Sequence, residues 1–409
     1  ERKHPMTTFP RTEIGVGLIS VGWMGKVHSR AYSAVPVVYP ELGIVPKLII
    51  AADTEPSRAE YAKDVLGYAE STLDYREVLA HPDVDVVSIC APNFLHAEIG
   101  IAAAKAGKAF WIEKPVGRGA DETRAVEAAA NEAGVVSSIG FNYRHAPAIE
   151  KAKQMIAEGM LGRITNIRGT FFADYSSEPN GALSWRFTRA LAGSGVLGDL
   201  MGHLVDLMQY IVGPISDVSA LTSTIHTQRP IQQMGKGTHF DVIEGGELGD
   251  VENEDYAAML VRFAGNAVAA GAVGTLEASR VAVGPRASYN IEIYGTEGSL
   301  KWDFERLNEF DVAIGRSGEL LGYQRVMTGL PFGDFAHFQP GPGMGLGFDD
   351  LKIIEARKFL ESYVGRSHVN SNIHDAVAAA QVIDAAERSA DSGEWVHLEP
   401  VAGVTAAIR

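Results

Sequence analysis

The 409-residue sequence contains one cysteine, Cys90, and no C-x-x-C pair. An internal disulfide is excluded and a thiolate zinc site has no ligands. A reducing compartment fits, so a cytoplasmic protein is expected and no metal site is. Basic residues are scarce as well: 36 Lys plus Arg stand against 51 Asp plus Glu, a formal net charge of −15. Nucleic-acid binding needs a basic face to replace phosphate counterions, and anionic membranes attract the same kind of face. Neither partner is expected. No apolar run approaches the ~18 residues of a membrane span, and Glu1–Pro10 lacks the apolar stretch of a signal peptide. Hydrophobic residues make up 46% of the chain and charged ones 21%, which rules out a disordered polyelectrolyte. There is no internal repeat, and the length suits two domains.

In the first third, short apolar runs alternate with helical patterns. Ile14–Ser20, Lys47–Ala52, Val84–Cys90, Ala109–Ile112 and Val135–Ile139 read as strands. Trp23–Ala34, Ser57–Leu66, His96–Ala106 and Asp121–Ala133 read as helices. Continuously apolar strands between amphipathic helices predict a parallel sheet covered on both faces. Beyond Tyr143 the pattern changes. A helix at Ala148–Glu158, a strand at Ile164–Tyr175 and a long helix at Ser194–Val212 precede six strands. These are Ile215–Thr222, Ala257–Phe263, Ala267–Leu276, Ser288–Tyr294, Ser299–Phe304 and Glu309–Ile314, with a turn at Gly265-Asn266. A mostly antiparallel sheet with helices on one face is expected. Two glycine-rich loops, Gln228–Asp255 and Pro331–Gly347, interrupt it, and helices Asp349–Val364 and Ile373–Ala390 close the chain.

The first strand-turn-helix matches two glycines of G-x-G-x-x-G: Ser20-Val21-Gly22-Trp23-Met24-Gly25. Gly22 would let the backbone approach a pyrophosphate and Gly25 would let helix pack on strand. Ser20 stands where the turn glycine belongs and is expected to alter the turn without abolishing it. Asp53, at the end of the second strand, suits an acceptor for the adenosine ribose and would disfavour a 2′-phosphate, so NAD is expected over NADP. It is equally readable as a loop aspartate before Pro56.

Two more segments end parallel strands on the side where open α/β sheets bind ligands: Ala91-Pro92-Asn93-Phe94-Leu95-His96 and Glu113-Lys114-Pro115. Lys114 directly follows the apolar Phe110-Trp111-Ile112. It is either a partly desolvated functional cation or a surface partner of Glu113, and strand alternation favours the former. Further on, Asp199 and His203 are four residues apart on a predicted helix, so both would share one face. The carboxylate could hold the imidazole's tautomer. The alternatives are an N-cap with a structural histidine, or a metal pair completed by Asp206.

Together these segments, with Gly140-Phe141-Asn142-Tyr143-Arg144, resemble the glucose–fructose oxidoreductase/inositol dehydrogenase/rhizopine-catabolism (Gfo/Idh/MocA) family, over Ile14–Glu399. Leu183-Ser184-Trp185-Arg186-Phe187, Ala192–Gly195 and Gly295–Ser299 are most similar to its levoglucosan dehydrogenase-like branch of sugar dehydrogenases. The resemblance implies an α/β plus α+β fold: an N-terminal Rossmann domain at 12–144, and an open, mostly antiparallel sheet domain for substrate and oligomerisation at 145–348. C-terminal helices at 349–397 would pack back on both. It implies NAD-dependent oxidation of a sugar, anhydrosugar or polyol hydroxyl in a homodimer or homotetramer.

On this resemblance His203 is the base, Lys114 the cation for alkoxide charge, and Asp199 orients His203. Coenzyme contacts would come from Ser20, Gly22, Trp23, Met24, Gly25, Asp53, Ala91, Pro92, Asn93, His96, Glu113, Lys114, Asn142, Trp185 and Arg186. Substrate contacts would come from Lys114, Tyr143, Arg144, Tyr175, Arg186, Asp199, His203, Arg280 and His337. Arg144, Arg186, Arg189 and Arg280 keep an anionic sugar open as substrate. The resemblance also admits a redox-neutral NAD-dependent glycosidase, for example on sulfoquinovosides, with His337, His239 or Tyr175 as an added base. A non-enzymatic NAD-binding regulator is a third reading, opposed by the presence of Lys114, Asp199 and His203 together.

Overall fold

The computed structural model describes residues 11–231, 241–264, 268–318, 321–365, 370–399 and 401–402. Its first layer is built on β1 (Thr12–Ile19), β2 (Ile44–Ala52), β3 (Glu70–Thr72), β4 (Val86–Ile89), β5 (Ala109–Ile112) and β6 (Ser137–Ile139). All neighbouring pairs are parallel, in the spatial order 3-2-1-4-5-6. This is the dinucleotide-binding order, with its crevice where the winding reverses between β1 and β4. Helices α1 (Trp23–Val38), α2 (Pro56–Asp64), α3 (Tyr75–Ala80), α4 (Asn93–Lys105) and α5 (Ala120–Ala133) cover both faces. Strands β4 and β5 are buried at every position; Ser88, the one polar residue in them, is hydrogen-bonded to His28 and Tyr32. β3 adds a sixth strand to the five read from the sequence. Its three residues, Glu70-Ser71-Thr72, are too few and too polar to show a pattern.

After α6 (Pro147–Ala157) comes β7 (Ile164–Ala173), then a short α7 (Arg189–Ala192) and α8 (Gly202–Ile211). The strands that follow are β8 (Ile215–Ser223), β9 (Gln228–Pro230), β10 (Leu248–Asp250), β11 (Tyr256–Phe263), β12 (Val273–Ser279) and β13 (Ala287–Gly295). Next are β14 (Gly298–Asp303), β15 (Glu309–Ile314), β16 (Gln324–Met327), α9 (Phe335–Phe338), α10 (Phe348–Tyr363), α11 (Ile373–Ser392) and β17 (Val396–His397). Nine strands form one sheet in the order 16-15-14-13-7-12-11-8-17, and β9 pairs with β10 apart from it. Only β7–β12 runs parallel; the other pairs are antiparallel. The strand expected from Ala267 starts at Val273, and the Gly265-Asn266 turn lies outside the described residues.

Helix α8 lies on β7 because Gly169 lacks a side chain: a Cβ there would stand 2.7 Å from Leu204 Cδ1. α10 returns to the first layer, where Ala356, Phe359 and Leu360 pack with Tyr32, Val35 and Trp111. The opposite face of the large sheet keeps Leu221, Leu260 and Val273 exposed.

Arg144 joins the layers and is not a pocket residue. It is 2% exposed; its Nε donates to Asp206 Oδ2 at 2.8 Å, Nη2 bonds Asp206 Oδ1, and Nη1 lies 3.3 Å from Asp375 Oδ2. The expectation of substrate contact by Arg144 is therefore corrected. Two carboxylates from α8 and α11 consume its planar donor fork. The same pairing takes Asp206 away from any metal shared with Asp199 and His203. Arg144→Met would strand both carboxylates in the interior. A loss of about 3–5 kcal/mol is expected in chemical denaturation; an unchanged midpoint would mean the cluster holds nothing together.

Candidate active site

The turn after β1 is fixed on both sides. Ser20 has φ 75°, the only left-handed non-glycine among the described residues. The conformation costs an L-residue about 1–2 kcal/mol. The serine thus adopts the shape a glycine would take, and the turn survives the substitution. Ser20 N donates to Ala52 O at 2.8 Å, and Val21 N to Asp53 Oδ2 at 2.8 Å. A Cβ on Gly25 would lie 2.2 Å from Ser20 O, so only glycine lets α1 start there. Above Gly22 the nearest atom to an added Cβ is the Ser20 hydroxyl, 4.0 Å away. A ligand can therefore approach the backbone closely at Gly22, at the start of α1. Asp53 is 7% exposed and its other oxygen accepts from Glu55 N at 3.0 Å. It braces the turn first, and only its remaining lone pairs are left for a ribose.

Beside this turn a cleft of about 280 Å³ opens between the two sheets. Trp23, Met24, Ala91, Asn93, Glu113 and Lys114 line it from the first layer, joined by Asn142 and Tyr143. Asp199, His203, Trp185, Arg186 and Arg280 line it from the second. Trp23 is exposed and stacks on Phe348, with ring centroids 5.6 Å apart.

Lys114 Nζ donates to Asp199 Oδ1 at 2.8 Å and to Asp199 O at 2.9 Å. The other carboxylate oxygen, Oδ2, accepts from the Tyr175 hydroxyl at 2.5 Å. Asp199 stands in a π-helical turn, Leu197–Met201, that leads into α8. Glu254 pins the start of that turn by accepting from Gly195 N at 2.8 Å and Leu197 N at 2.9 Å. Burial alone would raise the Asp199 carboxyl. The charges of Lys114 and Arg186, with the bonds from Lys114 and Tyr175, outweigh it and hold the group well below the usual carboxylate range.

Asp199 does not hold the His203 ring. Its oxygens bond Lys114 and Tyr175, and no hydrogen bond joins it to the imidazole among the described residues, so the orienting bond expected for it is not formed. The imidazole is set instead by aromatic edges: Tyr143 meets it edge-on at 4.8 Å and Phe141 at 6.1 Å. Burial, and then the Lys114 charge, push its pKa well below 6.5, so it is neutral at neutral pH.

Three further expectations change. Tyr175 does not line the cleft; its hydroxyl is committed to Asp199. His337 packs on Tyr39, just past the far end of the 16-residue α1, about 24 Å along that helix from the glycine turn. His96 lines the cleft with its ring nitrogens turned to Pro115 O at 2.7 Å and Ala91 O at 2.6 Å, tying the ends of β4 and β5 together. Among the arginines, Arg189 pairs with Glu387 at 3.1 Å and Arg280 with Asp255 at 2.8 Å. The Arg186 guanidinium lies 4.4 Å over the Trp185 ring, with no carboxylate partner among the described residues. His239 lies outside them.

Below the cleft is a buried charge network that no sequence motif announces. Glu113 Oε1 accepts from Lys352 Nζ at 2.6 Å and pairs with His28 Nε2 at 2.9 Å. His28 stacks on Trp111 at 3.4 Å, and burial lowers its pKa to about 4. Burial would raise Glu113, but Lys352 and His28 overcome it and keep it ionised. Lys352 sits inside the apolar pattern of α10, which is why periodicity does not reveal it.

Two family models match: "Oxidoreductase family, NAD-binding Rossmann fold" over residues 14–141 and "GFO/IDH/MocA C-terminal domain" over 149–301. The chain belongs to the Gfo/Idh/MocA oxidoreductase family. Among its relatives, the levoglucosan dehydrogenase of Pseudarthrobacter phenanthrenivorans is 39% identical over 393 residues, 95% of this chain and 99% of that one. A solved levoglucosan dehydrogenase in complex with NADH and levoglucosan superposes with a TM-score of 0.88 at 38% identity, covering 95% of this chain and 100% of that one. The inositol 2-dehydrogenase of Rhizobium meliloti is 24% identical over 91% of this chain and 96% of its own length.

As a member of this family the protein is an NAD-binding oxidoreductase, and its residues fit the coenzyme. The turn before α1 is open to a diphosphate. The Asn142 side chain, 1% exposed, presents an Nδ2 without a partner among the described residues in the cleft. No helix among the described residues is long and apolar enough to cross a membrane.

Because the Lys114 charge depresses His203, Lys114→Met should move the imidazole titration upward toward 6.5. Its 15N NMR titration in the two proteins measures this; an unmoved or lower pKa would place the two groups too far apart to couple.

Proposed function

We propose that the protein oxidises a secondary hydroxyl of a neutral sugar, anhydrosugar or polyol to a ketone. The observation that carries this reading is the meeting of Lys114, Asp199 and His203 at one cleft beside the coenzyme turn. The neutral His203 imidazole takes the hydroxyl proton as the C–O bond becomes a carbonyl. Lys114 has three donors, two of them engaged by Asp199, and the third can face the substrate oxygen as its negative charge grows. Bound NAD supplies the hydride acceptor. Trp185 and Tyr143 offer flat apolar faces to a pyranose ring. Asn142 and Arg186 offer donors to ribose or sugar hydroxyls. The likeness to levoglucosan dehydrogenase supports an anhydrosugar or similar substrate.

The glycosidase alternative needs a base beside C2. Of its candidates, Tyr175 is bound to Asp199 and His337 stands beyond the far end of α1. The dehydrogenase reading is therefore preferred. Incubation with NAD and a panel of free sugars, anhydrosugars and aryl glycosides decides between them. NADH should accumulate with free sugars and no aglycone should appear; aglycone release without NADH would reverse the assignment. Lys114→Met should lower kcat/KM by about 10²–10³-fold while NADH still binds. Undiminished turnover would remove Lys114 from the chemistry.

We further propose a cytoplasmic homodimer or homotetramer that covers the exposed Leu221, Leu260 and Val273 face of the large sheet. Light scattering should give two or four chains, and a Leu260→Glu variant should shift the mass downward; a monomeric wild type would refute it.

A further inference from the structure

Asn253 lies in the acidic, polar stretch Gln228–Asp255, yet it is 1% exposed. A buried amide is costly unless its polar atoms are bonded, and here all of them are. Its Nδ2 donates to Arg186 O at 2.9 Å and to Ser194 O at 3.2 Å. Its Oδ1 accepts from Arg280 Nη2 at 2.9 Å. Two carbonyls demand donors and a guanidinium demands an acceptor, so these partners fix the amide's orientation. They come from three separate segments. Arg186 belongs to the turn Trp185–Phe187, Ser194 to the stretch between α7 and the π turn, and Arg280 follows β12. All three line the cleft, and Asn253 does not. Arg280 is also held by Asp255 Oδ1, 2.8 Å from its Nε, so only its Nη1 is without a partner among the described residues.

We propose that Asn253 is a positioning residue for the substrate: from behind the cleft it fixes the Trp185–Arg186 turn against Arg280, so that the two arginines meet one sugar ring in a set relation. The proposal rests on the sugar-oxidising reading above and concerns the wall opposite the coenzyme turn. Only asparagine suits this junction. Aspartate cannot donate to two carbonyls, and serine cannot reach all three partners. Holding the wall before the sugar arrives removes an ordering cost from binding. The catalytic groups have other anchors: Glu254 holds the start of the Asp199 turn, and His96 ties the strand ends beside Lys114.

The test uses the full chain as wild type, Asn253→Asp, Asn253→Ser and Thr224→Val, with NAD and the anhydrosugar levoglucosan. Asn253→Asp keeps the volume and removes both donors; Asn253→Ser removes the reach. Thr224→Val loses only the hydroxyl bond to Asn253 O, 3.1 Å long, and leaves the amide in place. In both Asn253 variants KM for levoglucosan should rise about tenfold or more, with kcat and the NADH Kd within about twofold of wild type. Thr224→Val should keep the wild-type KM. Independently of any sugar, amide hydrogen exchange across residues 184–195 of the coenzyme-free protein should quicken about tenfold in Asn253→Asp, with the parallel sheet unchanged. An unmoved KM or unmoved exchange overturns the proposal. So does an equal rise in KM in Thr224→Val, or a loss that falls on kcat or NADH affinity instead. Wild-type protein that oxidises no sugar would sink the dehydrogenase reading, a distinct result, and the exchange measurement would still decide whether Asn253 holds the wall.

Discussion

The bond between Lys114 and Asp199 is the contact on which the rest of the site depends. Lys114 follows β5 of the parallel sheet; Asp199 lies in the turn that leads into the helix on the large sheet. Neither layer holds a complete site. Each side is fixed by its own framework: His96 ties the ends of β4 and β5 around the lysine, while Glu254 and Tyr175 fix the aspartate. Gly169 brings α8 close enough to β7 for the two frameworks to meet. A small shift between layers would break a 2.8 Å contact, so the packing of the two sheets sets the geometry of the cleft.

The charge balance follows from the same arrangement. The chain is acidic overall, yet its cleft gathers Lys114, Arg186, Arg280 and Lys352 against Glu113 and Asp199. Each acid is paired inside the protein, so neither competes for the substrate's proton. His203 is left neutral by burial and by the neighbouring lysine. The site thus sets two groups in different environments: Lys114 bonded to Asp199, and His203 among aromatic edges. Buried ion clusters such as Arg144–Asp206–Asp375 do not enter the chemistry. They set the angle at which the layers join.

Where an element has a long pattern, the sequence already shows it. The apolar strands, the helices at Phe348–Tyr363 and Ile373–Ser392, and the sheet after Ile215 all follow from periodicity. Very short strands such as β3 and β17 do not, because two or three residues carry no period. Lys114, Asp199 and His203, legible in the sequence as site candidates, meet at one cleft. Their partners were not legible. A four-residue spacing suggests an Asp–His pair, but it does not show that the Asp199 oxygens bond Lys114 and Tyr175, which lie 85 and 24 positions away. Arg144 looked like a pocket cation because its acidic partners lie 62 and 231 positions away. Lys352 was hidden by the apolar helix around it.

The central claim is that Lys114 works through its bond to Asp199. A double-mutant cycle on kcat/KM with Lys114→Met, Asp199→Asn and the pair together tests it most directly. The account predicts that the double variant is hardly worse than Lys114→Met alone, since the second change removes a partner already lost. Losses that simply multiply would show two residues acting independently and would contradict it.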